Sequence, residues 1–165
     1  MHPPFMMPTV AVKSWLQLAI IIVLWPACRK ETTVERNIKA EMLAAVNALR
    51  QTGCTCGATY MPPVKPLIWH DTLASAALAH ARDMDANNYF NHISPGGTSP
   101  IQRAMALGYA GNTVTENIAK GYTSIETLME AWQQSESHCK AMMDSLPTEM
   151  GAANVNTYWV QEFGH

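Results

Sequence analysis

Apolar residues recur along the chain at helical spacing in several stretches and at strand spacing in others. Val34, Ile38, Met42, Ala45 or Val46, and Leu49 fall three or four apart, which predicts a helix closed by Gly53. Thr32-Thr-Val-Glu35 has the capping-box pattern at its start. Met61-Pro-Pro-Val-Lys-Pro66 is extended by its prolines and leads into Leu67-Ile-Trp69. Asp71 is then positioned to cap a second helix with the stripe Leu73, Ala77, His80/Ala81 and Met84. The small alanines of that stripe predict close packing against another layer.

Tyr89-Phe-Asn-His92-Ile-Ser-Pro95-Gly-Gly is a turn, after which Ser99 and Pro100 open a third helix stopped by Gly108. Thr115–Ala119 reads as a short strand. Thr123-Ser-Ile-Glu126 is a second capping-box pattern, opening a helix with Ile125, Leu128, Met129 and Trp132 inward. A helical piece around Lys140–Asp144 ends before Pro147. The apolar runs Met150–Val155 and Tyr158–Phe163, joined by Asn156-Thr157, predict an antiparallel hairpin. Helices first and a hairpin last point to an α+β fold rather than a parallel α/β one.

The first thirty residues have a different pattern. Lys13 precedes the apolar run Trp15–Leu24, which is short of the roughly 20 residues a bilayer span requires but has the length of a secretory h-region. A buried helix is the alternative, yet nothing on either side offers it a partner face. Cys28 follows Ala27 and precedes polar residues, which resembles a bacterial lipoprotein cleavage site, although Trp25 and Pro26 are unusual there. The expected division is a lipoprotein-type signal peptide over 1–27, a short tether over 28–33 and one domain over 34–165. A plain signal peptide with a secreted soluble product is the alternative.

The length of 165 residues allows one domain with a real core and is too short for two. Net charge is −2, and no basic run is present, so nucleic acid is not an expected partner. With Cys28 set aside, Cys54, Cys56 and Cys139 remain. An oxidising exported setting favours a disulfide, joining Cys139 to Cys54 or to Cys56. Zinc held by these cysteines with His138 lacks the paired C-x-x-C spacing of structural zinc sites.

No G-x-S-x-G, H-E-x-x-H, phosphate-cradling loop or C-x-x-C is present. What remains is polar residues at element ends: His92, Glu116, His138 and Glu149. Each has a plain reading beside the functional one. His92 would brace its turn, Glu116 would pair with Lys120, Glu149 would be a solvated strand-entry charge, and His138 an exposed helix-end cation. His80, on an apolar stripe, reads as a hydrogen-bonded core histidine, and His70 as a surface one.

The order of landmarks nevertheless resembles a known family. Leu67-Ile-Trp69-His-Asp-Thr-Leu73, Ala76-Ala77, His80-Ala-Arg-Asp-Met84, Tyr89-Phe-Asn-His92-Ile-Ser-Pro95, Arg103, Gly108-Tyr109, Glu116-Asn-Ile-Ala119, Trp132, Ser135, His138, Gly151 and Tyr158-Trp159-Val160 resemble the CAP superfamily of cysteine-rich secretory, antigen 5 and pathogenesis-related 1 proteins. The bacterial SCP-domain branch is the nearest in pattern. The resemblance implies an α–β–α sandwich with a three-stranded antiparallel sheet between helical layers. It also implies a cavity built on two histidines, here His92 and His138, and two glutamates, of which Glu116 is the first. Where animal and plant members have the second glutamate this chain has Ser135, with Glu136 next to it and Glu149 as a spare from another element. Glu136-Ser137 also replaces a common bacterial Pro-Gly.

Two imidazoles in one cleft suit a weak, exchangeable divalent cation such as zinc, with Glu116 as orienting partner or ligand. The expected function is therefore an exported, Cys28-anchored monomeric binding module for a lipid, peptide or cell-envelope ligand. The alternative is a metal-assisted hydrolase or protease using His92, Glu116 and His138, with Ser135 and Glu149 as accessories and Ser94 as a further serine to test. A tethered envelope component held close to the membrane is a third reading.

Overall fold

The computed structural model describes Met1 and residues 33–165. The expected signal peptide, the Cys28 lipidation site, the tether and the Thr32 cap lie outside the described residues. The elements run α1 (Thr33–Thr52), β1 (Cys54–Cys56), β2 (Thr59–Met61), β3 (Ile68–Trp69), α2 (Asp71–Asn87), α3 (Pro100–Ala106), β4 (Val114–Lys120), α4 (Ile125–Gln134), α5 (Glu136–Met143), β5 (Glu149–Val155) and β6 (Tyr158–Gly164).

The main sheet has the order β3-β5-β6-β4. β4, β6 and β5 are antiparallel, as expected. The sheet is one strand wider than expected, because β3 pairs parallel with the start of β5 through Ile68–Glu149 and Trp69–Met150. Pro66 ends the extended segment before it and Asp71 begins a helix after it, so only two residues are left to pair. β1 and β2 form a separate hairpin that the proline-rich sequence around it does not announce.

Strand alternation distributes the core to the two faces. Ile118, Val160 and Ala153 meet Ala77, Ala81 and Met84 of α2. Their neighbours Ala119, Trp159 and Ala152 meet Met42 and Val46 of α1, Leu128 and Trp132 of α4, and Met142 of α5. Every residue of β6 is buried, as a central strand covered on both faces requires. The result is the α–β–α sandwich.

Gly151 sets the spacing of one layer. A Cβ at this position would fall on the backbone of Leu73 and Ala74, so the first turn of α2 lies directly on β5. On the other layer, Arg50 is 1 % exposed and donates to the carbonyls of Lys65 (2.8 Å), Met142 (2.8 Å) and Asp144 (2.7 Å). One guanidinium thus joins α1, the proline-rich segment and the end of α5.

Some local expectations are corrected. The cap of α2 is His70, whose extended backbone accepts from the Ala74 amide; the Asp71 carboxylate instead meets Lys39 Nζ at 3.2 Å. His70 is half-buried, edge-on to Tyr109 with ring centroids 5.0 Å apart, rather than a surface residue. The cap of α4 is Ser124, whose Oγ accepts from the Thr127 amide, one residue later than the capping-box pattern suggests. The helical piece near Lys140 begins earlier, at Glu136, so His138 lies inside α5. Ser135 has extended backbone and serves as C-cap of α4 and N-cap of α5, so it does not continue the Trp132 helix.

Candidate functional site

β4 is the outer strand of the sheet, and its successive residues Glu116 and Asn117 face opposite layers. Glu116 points to the α2 side, the side of Ile118, while Asn117 donates from Nδ2 to the main-chain oxygen of His138 on α5 at 3.2 Å. The edge of β4 is therefore where the two layers can present side chains to one place.

His92 reaches this edge from a loop that is anchored at several points. The loop follows α2, which ends at the left-handed Asn88, φ +50°. His80 Nε2 is 3.0 Å from the Asn91 carbonyl, which fixes the ring proton on Nε2. Arg103 Nη1 donates to the carbonyls of His92 and Thr98, both at 3.0 Å. The Tyr89 hydroxyl donates to Asp83. These bonds hold the backbone on both sides of His92.

Glu116 orients the ring itself. Its side chain is 1 % exposed, with Oε2 2.6 Å from Arg103 Nη2 and Oε1 2.8 Å from His92 Nδ1. The carboxylate accepts, so the neutral His92 ring carries its proton on Nδ1 and presents the Nε2 lone pair elsewhere. The His92 side chain is 50 % exposed. A buried charged pair thus holds an accessible imidazole in one tautomer.

His138 faces the same region from the opposite layer. It is half-buried, and its pKa is lowered first by burial and second by the charge His92 would carry. His80 is fully buried, and its pKa is lowered mainly by burial, with Glu116 opposing that shift from 3.8 Å. Both effects favour neutral rings, the form in which a nitrogen lone pair binds a cation.

A second acid lies under the first. Glu162 of β6 stands opposite Glu116 on one side and Gly151 on the other. It is fully buried, and neither carboxyl oxygen has a hydrogen-bond partner. Burial, and next the Glu116 charge, push its pKa well above the usual carboxylate range, while Arg103 works against them. The protonated acid is the favoured form. His80 Nδ1 and Arg103 Nε are also buried without a partner.

The other predicted residues are placed differently. Glu149 accepts from the Tyr109 hydroxyl at 2.9 Å, a bond that, after burial, raises the Tyr109 pKa. Ser135 Oγ lies 3.4 Å from Ser137 Oγ, and among the described residues neither Ser94 nor Ser135 bonds a histidine ring. Glu136 pairs with Lys140. A surface cavity of about 470 Å³ beside α1, between Asn47, Gln51 and Val64, contains no ionisable group and is a separate feature.

The cysteines resolve as a Cys56–Cys139 disulfide with Cys54 free. Among the described residues, these three sulfurs form the one group of three His, Cys, Asp or Glu ligand atoms lying mutually within 4.8 Å. His92, Glu116 and His138 are not drawn together to that spacing.

Sequence reasoning missed the roles of Arg103, Asn117 and Glu162. For Glu162 a signal was present, an acid inside the apolar run Tyr158–Phe163 of a central strand. Arg103 stood among the landmarks of the family resemblance, one turn after Pro100, but nothing along the chain assigned it a partner.

Comparison with known proteins agrees with this architecture. The Bacillus subtilis protein YkwD is 37% identical over 102 residues, covering 61% of this chain and 40% of YkwD. An outer surface protein from Borrelia burgdorferi superposes with a TM-score of 0.68 at 22% identity, over 82% of this chain and 96% of that one. An extracellular protein containing a SCP domain from Bacillus anthracis superposes with a TM-score of 0.64 at 22% identity, over 83% of this chain and 45% of that one. The chain thus spans less than half of YkwD, and the two structures bear on the fold alone. The profile of the cysteine-rich secretory protein family, CAP, matches residues 43–163, and the chain belongs to that family.

Proposed function

We propose that this protein is an exported binding module whose ligand engages the β4 edge through His92 and His138. The observation that carries the reading is the 2.8 Å contact from His92 Nδ1 to a Glu116 carboxylate that is itself fixed by Arg103. Such a contact sets the tautomer and orientation of an imidazole whose other nitrogen is left for a ligand. Secretion is in keeping with the family's description and with two structural neighbours, an extracellular protein and an outer surface protein. Among the described residues no helix is long and apolar enough to cross a membrane. Attachment, in this reading, is through a lipid on Cys28, and radiolabelled fatty acid found on the full chain would support it; an unlabelled soluble product would refute it.

A divalent cation fits the donor set in a limited way. His92 Nε2 and the His138 ring supply nitrogen donors, whereas both Glu116 oxygens are already engaged by His92 and Arg103. Glu116 is then an orienting partner and not a ligand. Two imidazoles with solvent completing the shell give weak, exchangeable zinc binding. A bound cation would supply charge for holding an anionic or carbonyl-bearing ligand. The chain's own part is to orient the His92 ring through Glu116 and to keep His138 half-buried, where burial lowers its pKa.

Titration of zinc into the protein by calorimetry tests the reading. The expected result is weak binding that is lost in a His92→Ala/His138→Ala double variant. An unchanged isotherm in that variant would overturn the cation site. Hydrolysis of a peptide or ester panel that depends on zinc and on His92 would favour the hydrolase alternative instead.

A further inference from the structure

Cys54 stands beside a disulfide to which it does not belong. Its Sγ is 3.5 Å from Cys139 Sγ and 3.7 Å from Cys56 Sγ. Cys56 and Cys139 are fully buried, while Cys54 is half-buried and so open to solvent on one side. Three sulfurs in mutual contact, with one bond among them, place a thiol within reach of a disulfide.

We infer that Cys139 is a two-way disulfide partner, its bond exchanging between Cys56 and Cys54, so that the trio forms a thiol–disulfide exchange site. The step requires no outside oxidant or reductant. The Cys54 thiol gives its proton to water, its side chain rotates to bring Sγ into line with the Cys56–Cys139 bond, and the thiolate attacks Cys139 Sγ. A Cys54–Cys139 bond forms as the Cys56–Cys139 bond breaks, and Cys56 leaves as a thiolate and takes up a proton. Attack on Cys56 is less productive. Cys54 and Cys56 are two residues apart on one strand, with Cα atoms about 6.6 Å apart, near the upper end of the disulfide range. Cys139 lies on a separate element, α5, and its Sγ is already 3.5 Å from that of Cys54.

Burial raises the Cys54 pKa and so keeps the thiolate scarce near neutrality. The exchange is therefore slow in a resting protein and faster with rising pH. The site requires nothing of His92 or Glu116 and stands independently of the proposed function.

The test uses the full chain under native, non-reducing conditions. Protein is alkylated with iodoacetamide, quenched and digested in acid to stop further exchange, and its linkages are mapped by mass spectrometry. The expected result is alkylation shared between Cys54 and Cys56, with a matching population of Cys54–Cys139 linkage. In Cys54→Ala the Cys56 label should be lost completely. In Cys56→Ser, Cys54 should close the bond with Cys139. Label confined to Cys54 in the native protein, or Cys54 joined to any cysteine outside the trio, would overturn the inference. Should Cys56→Ser fail to fold, the native-protein label still decides.

Discussion

Glu162 faces Glu116 across the β6–β4 ladder, and of the two acids only Glu116 has partners, Arg103 and His92. An ion pair therefore sits next to an acid that is favoured as neutral. Removing the neutral one should have a different consequence from removing the charged one.

Glu162→Gln replaces the protonated acid by a neutral side chain of the same shape. With its folded pKa raised above the ordinary 4.5, Glu162 holds more protons in the folded chain than in the unfolded one at pH above that value. Its contribution to stability is full below about 4.5 and falls as pH climbs toward the folded pKa. The variant should therefore gain on the native protein as pH rises through that window, by at most about 1.4 kcal/mol per pH unit, and then level off. Urea unfolding at a series of pH values measures this. A difference independent of pH would refute it.

Acid should destabilise the protein through its histidines. The pKa values of His80 and His138 are lowered from 6.5, so the unfolded chain binds the protons first as pH falls. Stability from this source is present above 6.5 and is lost as pH drops below it toward the folded values. His138→Asn should flatten that acid limb, and a limb of unchanged steepness would count against the half-buried environment of the ring.

Glu116→Gln should cost stability and site geometry together. It leaves the Arg103 guanidinium, 9 % exposed, without its carboxylate, a loss of about 3 kcal/mol. It also frees the His92 ring from its fixed tautomer. The His92 ring-nitrogen chemical shifts should move toward those of an unconstrained imidazole, and retention of the native shifts would refute the orienting role.

Gly151→Ala should destabilise by about 3 kcal/mol, since the added Cβ would meet the backbone of Leu73 and Ala74 rather than a mobile side-chain end. Thermal unfolding measures it. A neutral result would mean that α2 does not rest on β5 as described.

Periodicity made most of the sandwich legible. Leu73, Ala77 and Met84 reported the buried face of α2, and the runs around Asn156-Thr157 reported the hairpin. The parts that escaped rest on geometry that no spacing encodes. His70, not Asp71, caps α2 because Asp71 is turned to Lys39, a residue far away in sequence. The break between α4 and α5 at Ser135 is a matter of that residue's own φ and ψ, which no spacing announces. His92 and Glu116 stood out as polar residues at element ends, but the importance of Arg103 lies in three contacts that only the folded chain makes. Cys139 was readable as a bridging residue, whereas its choice of Cys56 over Cys54 required coordinates.

Arg50 gives the layer of α1 and α5 a single fastening point. Its guanidinium holds carbonyls from segments 15, 92 and 94 positions away along the chain, so displacing Arg50 strips all of them of a donor at once. Amide protons near Lys65 and at the end of α5 should therefore exchange with deuterium at a common rate, as one cooperative unit.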